Sequence, residues 1–235
     1  LFDELFELFG KERENYVKFV KLDPWYRFYF SSDGSIFNYC DNQEETEREI
    51  SKFNLKDVEG YKKLVEFSEK IFNVGFTQLS HTPFHNFFFM LKQIPKLVKL
   101  KSYKSVYQLV SFFIKDQKLR QALSIQPLLL GGNPITTTSI YNLIHYLERK
   151  WGVFYSIGGT GELINALKKL MIEEKIQINL NSNVTKIISN GNVVNGIEVN
   201  NKKLIYADKI VMNTDPAFTY RELINSKYNK KWKKK

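Results

Sequence analysis

A single cysteine, Cys40, stands among 235 residues, so the chain can close no internal disulfide and build no C-x-x-C metal site. That usage fits a reducing compartment. Long apolar runs are missing too. A membrane-spanning helix takes roughly 18 or more unbroken apolar residues, and the richest window, 84–100, is interrupted by Lys92, Lys96 and Lys99. The chain is therefore expected not to cross a bilayer. The self-sufficient catalytic signatures G-x-S-x-G, G-x-x-x-x-G-K-[ST] and H-E-x-x-H do not occur. The G-x-G-x-x-G dinucleotide fingerprint is likewise absent, so a nucleotide-binding unit of that type would have to lie outside these residues. His81 and His85 stand at i, i+4, but Pro83 between them opposes a regular helix and no nearby carboxylate completes a ligand set. No metal site is expected there.

Arginine is scarce, at Arg13, Arg27, Arg48, Arg120, Arg149 and Arg221, while the net charge is +10 and the pI about 9.4. The excess is dispersed lysine without a recognition fold, which argues against nucleic acid as a partner. A weak attraction to anionic lipid head groups is the alternative. A hydrophobic share of 43% with 26% charged residues reads as globular, in one large domain or two modest ones. Aromatics reach 15%, with 19 Phe and 13 Tyr, a surplus that needs a cause. The chain begins at Leu1 without an initiator Met and stops in the lysine-rich run 229–235, which suggests a piece of a longer protein.

Along the chain, Leu1–Phe9 has helical spacing and Val17–Leu22 is strand-like. Pro24–Phe30, the turn Ser32-Asp33-Gly34, and Ile36–Tyr39 predict a hairpin. Glu44–Phe53 and Asp57–Leu79 read as helices, with Asp57 as N-cap and Tyr61, Leu64, Val65 and Ser68 on one face. Phe84–Leu97, Val106–Ile114 and Asp116–Leu123 form an apolar helical block. Three consecutive phenylalanines, Phe87–Phe89, cannot all point one way, so one should face a pocket, a partner or a lipid surface. Pro127–Pro134 reads as a strand or turn. Ser139–Lys150 reads as a helix with the stripe Ile140, Leu143, Ile144 and Leu147, in which His145 has the default role of a packed histidine.

The stretch Trp151–Met171 then passes from a strand-like run, Trp151–Tyr155, through Gly158-Gly159-Thr160-Gly161 into a helix. Leu163, Ile164, Leu167, Leu170 and Met171 are expected on its apolar face. Such a glycine turn lets a ligand approach the main chain closely. After Ile176, Ile178 and Leu180, which alternate with polar residues, Val184–Ile188, Val193–Val199 and Leu204–Ala207 predict a meander turned at Asn190-Gly191 and Asn200-Asn201. Ile210–Met212 is expected as a short buried strand before Asn213-Thr214-Asp215-Pro216.

Taken in order, Asp23-Pro24-Trp25-Tyr26-Arg27, Asp57-Val58-Glu59-Gly60-Tyr61, Leu119-Arg120-Gln121-Ala122, Leu130-Gly131-Gly132-Asn133-Pro134, Ser139–Glu148, Trp151-Gly152-Val153 with Gly158–Gly161, Asn181–Ile187 and Asn213-Thr214-Asp215 form a series. This series resembles the bacterial and fungal-type phytoene desaturases, flavin-dependent carotenoid desaturases, along essentially the whole chain. The resemblance implies an α+β or α/β fold: the central part of a two-domain flavoprotein of the amine-oxidase-like FAD class, lacking its N-terminal βαβ and its C-terminal return. On that reading residues 1–16 link from the missing FAD-binding unit, and 17–150 form a mainly helical substrate domain with an antiparallel strand pair. Residues 151–216 form a strand, helix and meander rejoining the FAD domain, and 217–235 a truncated tail.

The resemblance also implies FAD as cofactor, with Val184 beside the adenine, Gly158, Gly159 and Thr160 near the flavin or tunnel end, and Asn213 and Asp215 close by. An apolar tunnel for a C40 polyene, opening at a membrane surface, would be lined by Phe84, Phe87, Phe88, Phe89, Met90, Phe112, Phe113 and Asn133, the phenylalanines and Met90 alternatively facing the membrane. Lys92, Lys96, Lys99, Lys101 and Lys104 would lie at head groups. Many relatives carry an Arg-Asp pair where this sequence has Phe88-Phe89, and no catalytic residue is assigned. The implied activity is dehydrogenation of phytoene by hydride transfer to FAD, with quinone or oxygen as the final acceptor, in a cytoplasmic, peripherally membrane-associated protein. A desaturase or oxidase of another carotenoid or isoprenoid, or a non-catalytic protein that binds apolar ligands or membranes, stands as the alternative.

Overall fold

The computed structural model describes residues 1–78, 87–191 and 193–224, with the backbone alone for Gln78 and 87–90. The expectations for Phe84, His81 and His85 lie outside the described residues, as do those for the side chains of Phe87, Phe88, Phe89 and Met90. The chain divides into two compact units, 1–167 and 168–235.

The first unit opens with α1 (Phe2–Glu7) and β1 (Phe19–Lys21), then the hairpin β2 (Tyr26–Phe30) and β3 (Ser35–Tyr39). Asp33 shapes the hairpin turn by accepting from the Ser35 backbone N–H at 3.1 Å and its hydroxyl at 2.8 Å, and Gly34 supplies the left-handed φ of +74°. Opposed pairs Tyr26–Tyr39 and Phe28–Phe37 place the aromatic surplus on one face. Helix α2 (Gln43–Ser51) starts where the Asn42 carboxamide accepts from the N–H groups of Glu44 and Glu45.

Helix α3 (Asp57–Phe72) buries Tyr61, Leu64, Ser68, Ile71 and Phe72 along one stripe and passes into a π-helical turn, Asn73–Gln78. Helix α4 (Phe87–Lys99) contains Pro95, and α5 (Val106–Phe113) begins at a capping box made by Ser105 and Gln108. Helices α3 and α5 approach so closely at Gly60 that a Cβ there would stand 2.2 Å from the Phe113 carbonyl oxygen, so only glycine fits. Then follow α6 (Gln117–Ala122), two 3₁₀ turns (Gln126–Leu130, Ser139–Asn142), α7 (Leu143–Trp151) and β4 (Phe154–Ser156), which pairs antiparallel with β1. The core collects Trp25, Phe37, Tyr39, Ile50, Tyr61, Leu64, Val110 and Leu119, among others, from the hairpin and helices α2, α3, α5 and α6.

Helix α8 (Thr160–Glu173) runs from the first unit into the second, which continues as the antiparallel meander β5 (Val184–Asn190), β6 (Val193–Val199) and β7 (Lys203–Tyr206). Asn200 and Asn201, with φ of 55° and 56°, make the tight β6–β7 turn that the right-handed strand twist favours. The short α9 (Pro216–Phe218) and a π turn (Thr219–Leu223) follow. The structure is thus a mixture of helix and strand.

Several local expectations are corrected. Asp57 is the first helical residue rather than the N-cap; its carboxylate instead accepts from the N–H groups of Lys115 and Asp116 at 2.8 and 2.7 Å. Of the two readings of Pro127–Pro134, strand or turn, the turn holds, as a 3₁₀ turn ended by Gly131 at φ +72°. Trp151 closes α7 instead of opening a strand. Residues 176–180 form no strand, and Ile210–Met212 is neither strand nor buried, with Val211 94% exposed. A strand needs a neighbour for its main-chain groups, and among the described residues none pairs with either segment. On α8 the buried residues are Ala166 and Leu170, while Ile164 and Met171 face outward.

Candidate active site

The side chains that α7 buries completely are not its apolar stripe but polar ones. His145 and Glu148 stand at i, i+3 with 0% and 4% exposure, and Arg149 follows at i+4. Tertiary partners explain this inversion. Tyrosines from β2, β3 and α3 bring hydroxyls to the same interior, so polar atoms on α7 find partners without water.

Arg149 anchors the cluster. Its Nη1 donates to the carbonyls of Cys40 and Asp41, both at 2.7 Å, its Nη2 to Thr46 Oγ1 at 2.8 Å and its Nε to the Tyr61 hydroxyl at 2.9 Å. The guanidinium also lies 4.4 Å from the Trp25 ring centroid and 4.8 Å from that of Tyr39, so aromatic faces stabilise the buried cation. The Tyr61 hydroxyl donates on to Tyr39 at 3.3 Å, and Tyr39 lies 3.1 Å from His145 Nδ1. His145 Nε2–H donates to the Leu123 carbonyl at 2.9 Å, which leaves Nδ1 to accept from Tyr39 or from the Gln126 amide at 3.2 Å. Burial pushes the histidine down to about 4, and the Arg149 charge acts the same way against the opposing Leu123 bond. His145 is therefore a neutral link, consistent with the packed role expected from the sequence.

Glu148 sits beside this chain on a different partner. Its Oε1 accepts from the Tyr26 hydroxyl at 2.7 Å. Its Oε2 is buried and finds no donor among the described residues. Burial raises the carboxyl to about 7, with the Tyr26 bond and the Arg149 charge pulling the other way. The Tyr26 phenol is raised well above its ordinary value by burial and by the facing carboxylate. A carboxyl poised near neutrality in an apolar, tyrosine-lined interior can hold or release a proton at physiological pH.

The residues implied as cofactor contacts fall in both units. Gly158 and Gly159 form the turn into α8 with φ of +84° and +95°, and Thr160 opens the helix. A Cβ on Gly159 would meet the Tyr155 hydroxyl at 3.7 Å, and the residues from Ile157 to Gly161 are exposed or half-exposed. Bare main chain of this kind suits the close approach of a planar ring. In the second unit Val184 is half-buried and pairs with Val199 at the start of β5. Asn213 and Asp215 are exposed, and the Asp215 carboxylate accepts from the Phe218 N–H as the cap of α9.

Of the implied tunnel residues, Phe112 is 55% exposed under Lys101 Nζ, 4.0 Å from its ring centroid, whereas Phe113 packs inward against Phe67. Asn133 shapes an exposed turn by accepting from the Ile135 N–H at 2.8 Å. Asp23, Cys40 and Glu45 bring ligand-type atoms within 4.8 Å of one another, but burial and then the nearby carboxylates push the Cys40 thiol up, away from the thiolate that a metal takes.

No family model matches the chain. Individual relatives do. It is 40% identical over 222 residues to the phytoene desaturase (lycopene-forming) of Pseudescherichia vulneris, covering 94% of this chain and 45% of that protein. The corresponding proteins of Pantoea ananas and Paracoccus sp. are 39% and 38% identical, over 95% and 94% of the chain and 45% and 44% of their own lengths. The chain thus spans a little under half the length of these relatives. Over that span it belongs to the phytoene desaturase family.

Proposed function

We propose that the chain is the central part of an FAD-dependent carotenoid desaturase that converts phytoene to more conjugated carotenes. The observation that carries this reading is the 38–40% identity to lycopene-forming phytoene desaturases across 94–95% of the chain. On this reading residues 17–150 belong to the substrate domain and 151–216 return to the cofactor domain. FAD, when bound, supplies a two-electron hydride acceptor, passing electrons on to quinone or oxygen. Gly158, Gly159 and Thr160 lie against the ring system, Val184 beside the adenine, and Asn213 and Asp215 near the cofactor.

For a hydrocarbon substrate the protein's own contribution is to bind, orient and exclude water. The apolar residues of α4 and α5 suit that task. Helix α4 also turns Leu91, Ile94 and Val98 outward while burying Gln93, and its exposed Lys92, Lys96 and Lys99 flank the apolar stripe. That arrangement is the form of an interfacial helix, apolar face in the acyl boundary and lysines at head groups. No helix among the described residues is long and apolar enough to cross a membrane.

The test uses the full-length protein that contains this chain. Purified with liposomes carrying phytoene, it is expected to bind FAD and to form products with longer conjugation, seen in the absorption spectrum. A protein that neither holds flavin nor converts phytoene sinks the reading, and liposome binding without any flavin would favour a non-catalytic apolar-ligand protein.

A further inference from the structure

A hydrocarbon offers no hydrogen bond. A carboxyl that serves one must therefore stay out of water while keeping an oxygen free of protein donors. Among the described residues two carboxyls of the first unit are buried. Asp57 has both oxygens taken, by the N–H groups of Lys115 and Asp116 at 2.8 and 2.7 Å, and is a structural cap. Glu148 has one oxygen held by Tyr26 at 2.7 Å and the other buried without a donor among the described residues. The neighbouring guanidinium is no substitute, because Arg149 directs its N–H groups to Cys40, Asp41, Thr46 and Tyr61. In a purely structural role an unsatisfied buried oxygen is only a cost, about 1–3 kcal/mol. Glu148 also stands on the last turns of α7, one short strand before the Gly158–Gly159 turn assigned above to the flavin. The Phe87–Phe89 run, in contrast, has no atom able to take a proton.

We infer that Glu148 is the proton acceptor of the desaturation, its Oε2 taking the proton from the carbon adjacent to the one that gives up hydride, while Tyr26 holds Oε1 in place. The inference rests on the desaturase reading and deepens it. The step balances. One C–H bond breaks with its electron pair leaving as hydride to the bound two-electron acceptor. The neighbouring C–H bond breaks, its pair becomes the new C=C bond, and its proton forms the O–H bond on Glu148. Release of that proton to solvent restores the carboxylate. The titratable and charged groups facing Glu148 are Tyr26 from β2, Tyr39 from β3, Tyr61 from α3 and Arg149 beside it on α7, with His145 one turn away. Its poise near 7 suits a base working at neutral pH, and the Tyr26 bond favours the ionised form.

The experiment compares the full-length flavoprotein with its Glu148→Gln and Tyr26→Phe variants on phytoene-loaded liposomes. Wild type should show activity rising with pH through a limb near 7 and a carboxylic-acid C=O infrared band lost over the same range. E148Q should keep its bound flavin and its KM, lose that band, and fall at least about a hundredfold in kcat with the limb abolished. Y26F should move limb and band together to higher pH, because a donor to the carboxylate is gone. An E148Q variant that turns over like wild type with the same limb overturns the inference while leaving the desaturase reading intact. Should E148Q fail to hold flavin, Y26F decides, and a limb that stays in place overturns the inference. A wild type without desaturase activity removes the reading, and the inference with it.

Discussion

The two units stabilise themselves by different means. The first has a deep interior in which Phe37, Tyr61, Leu64, Leu109 and Leu119 are wholly buried, and it closes around Arg149, which joins α7 to α3 and to the end of the β2–β3 hairpin. The second carries a meander whose strands bury Ile187, Gly196 and Val199 and leave Val193, Leu204 and Tyr206 exposed. Its order comes from ladder hydrogen bonds and turn residues more than from packing. A rigid interior can hold a buried carboxyl in an uncomfortable state, whereas a one-layer meander lends main chain and turns. The division teaches where chemistry and where surface recognition should reside.

The largest expected break in this comparison comes at Arg149. Arg149→Met keeps much of the side-chain volume but removes the charged donor to the Tyr61 hydroxyl, Thr46 Oγ1 and the Cys40 and Asp41 carbonyls, leaving Thr46 and Cys40 bonded to each other and Tyr61 to Tyr39. Hydrogen bonds to a charged group are worth about 1.5–3 kcal/mol each and the remaining partners offset part of the loss, so a loss of about 3–5 kcal/mol is expected in the first unit. Hydrogen exchange followed by mass spectrometry should show the loss across 1–167 and leave 184–206 unchanged. Equal loss in both units would mean that they unfold as one.

A smaller effect sharpens the account of the first unit. Glu148 rises from 4.5 to about 7 on folding, so the folded state holds a proton that the unfolded chain has released. Its stabilisation is complete below 4.5 and lost as pH rises to 7. His145 falls from 6.5 to about 4, so its contribution is complete above 6.5 and lost as pH falls to 4. Each is worth on the order of 3 kcal/mol. Between about 4.5 and 6.5 the two slopes oppose one another and urea unfolding should be nearly flat with pH. Glu148→Gln should unmask stability that rises with pH, and His145→Gln stability that falls. A wild-type slope that E148Q leaves unaltered would show that Glu148 is ionised in the fold. The same balance makes E148Q no less stable than wild type at neutral pH, which suits it to the catalytic test.

Much of the frame was legible in the residues. The hairpin followed from aromatic alternation around Ser32-Asp33-Gly34, and the meander from Asn-Gly and Asn-Asn turns, because turn chemistry is local. The polar cluster was not legible, and the reason is physical. Ile140, Leu143, Ile144 and Leu147 look like the inward face of α7, yet what is buried most is decided by tyrosines far away in sequence, Tyr26 lying 122 residues from Glu148. The signal available was the H-x-x-E-R spacing itself, two ionisable residues and a histidine on one helical face in a chain rich in tyrosine. Asp57 misled for a similar reason. Its type and place suit an N-cap, but the N–H groups it serves start a helix 58 and 59 residues later.

The smallest expected effect tests the second unit. Asn201 holds φ at 56° next to Asn200 at 55°, and the Lys202 N–H closes the turn on the Val199 carbonyl at 3.1 Å. A left-handed conformation costs an ordinary L-residue roughly 1–2 kcal/mol, and asparagine and glycine less. Asn201→Ala should therefore lose about 1 kcal/mol, while Asn201→Gly stays near neutral. Because the meander has little packing to share the strain, the faster exchange should be confined to β6 and β7. Exchange that quickened in α3 or α7 as well would join the meander to the core of the first unit and dissolve the contrast between them.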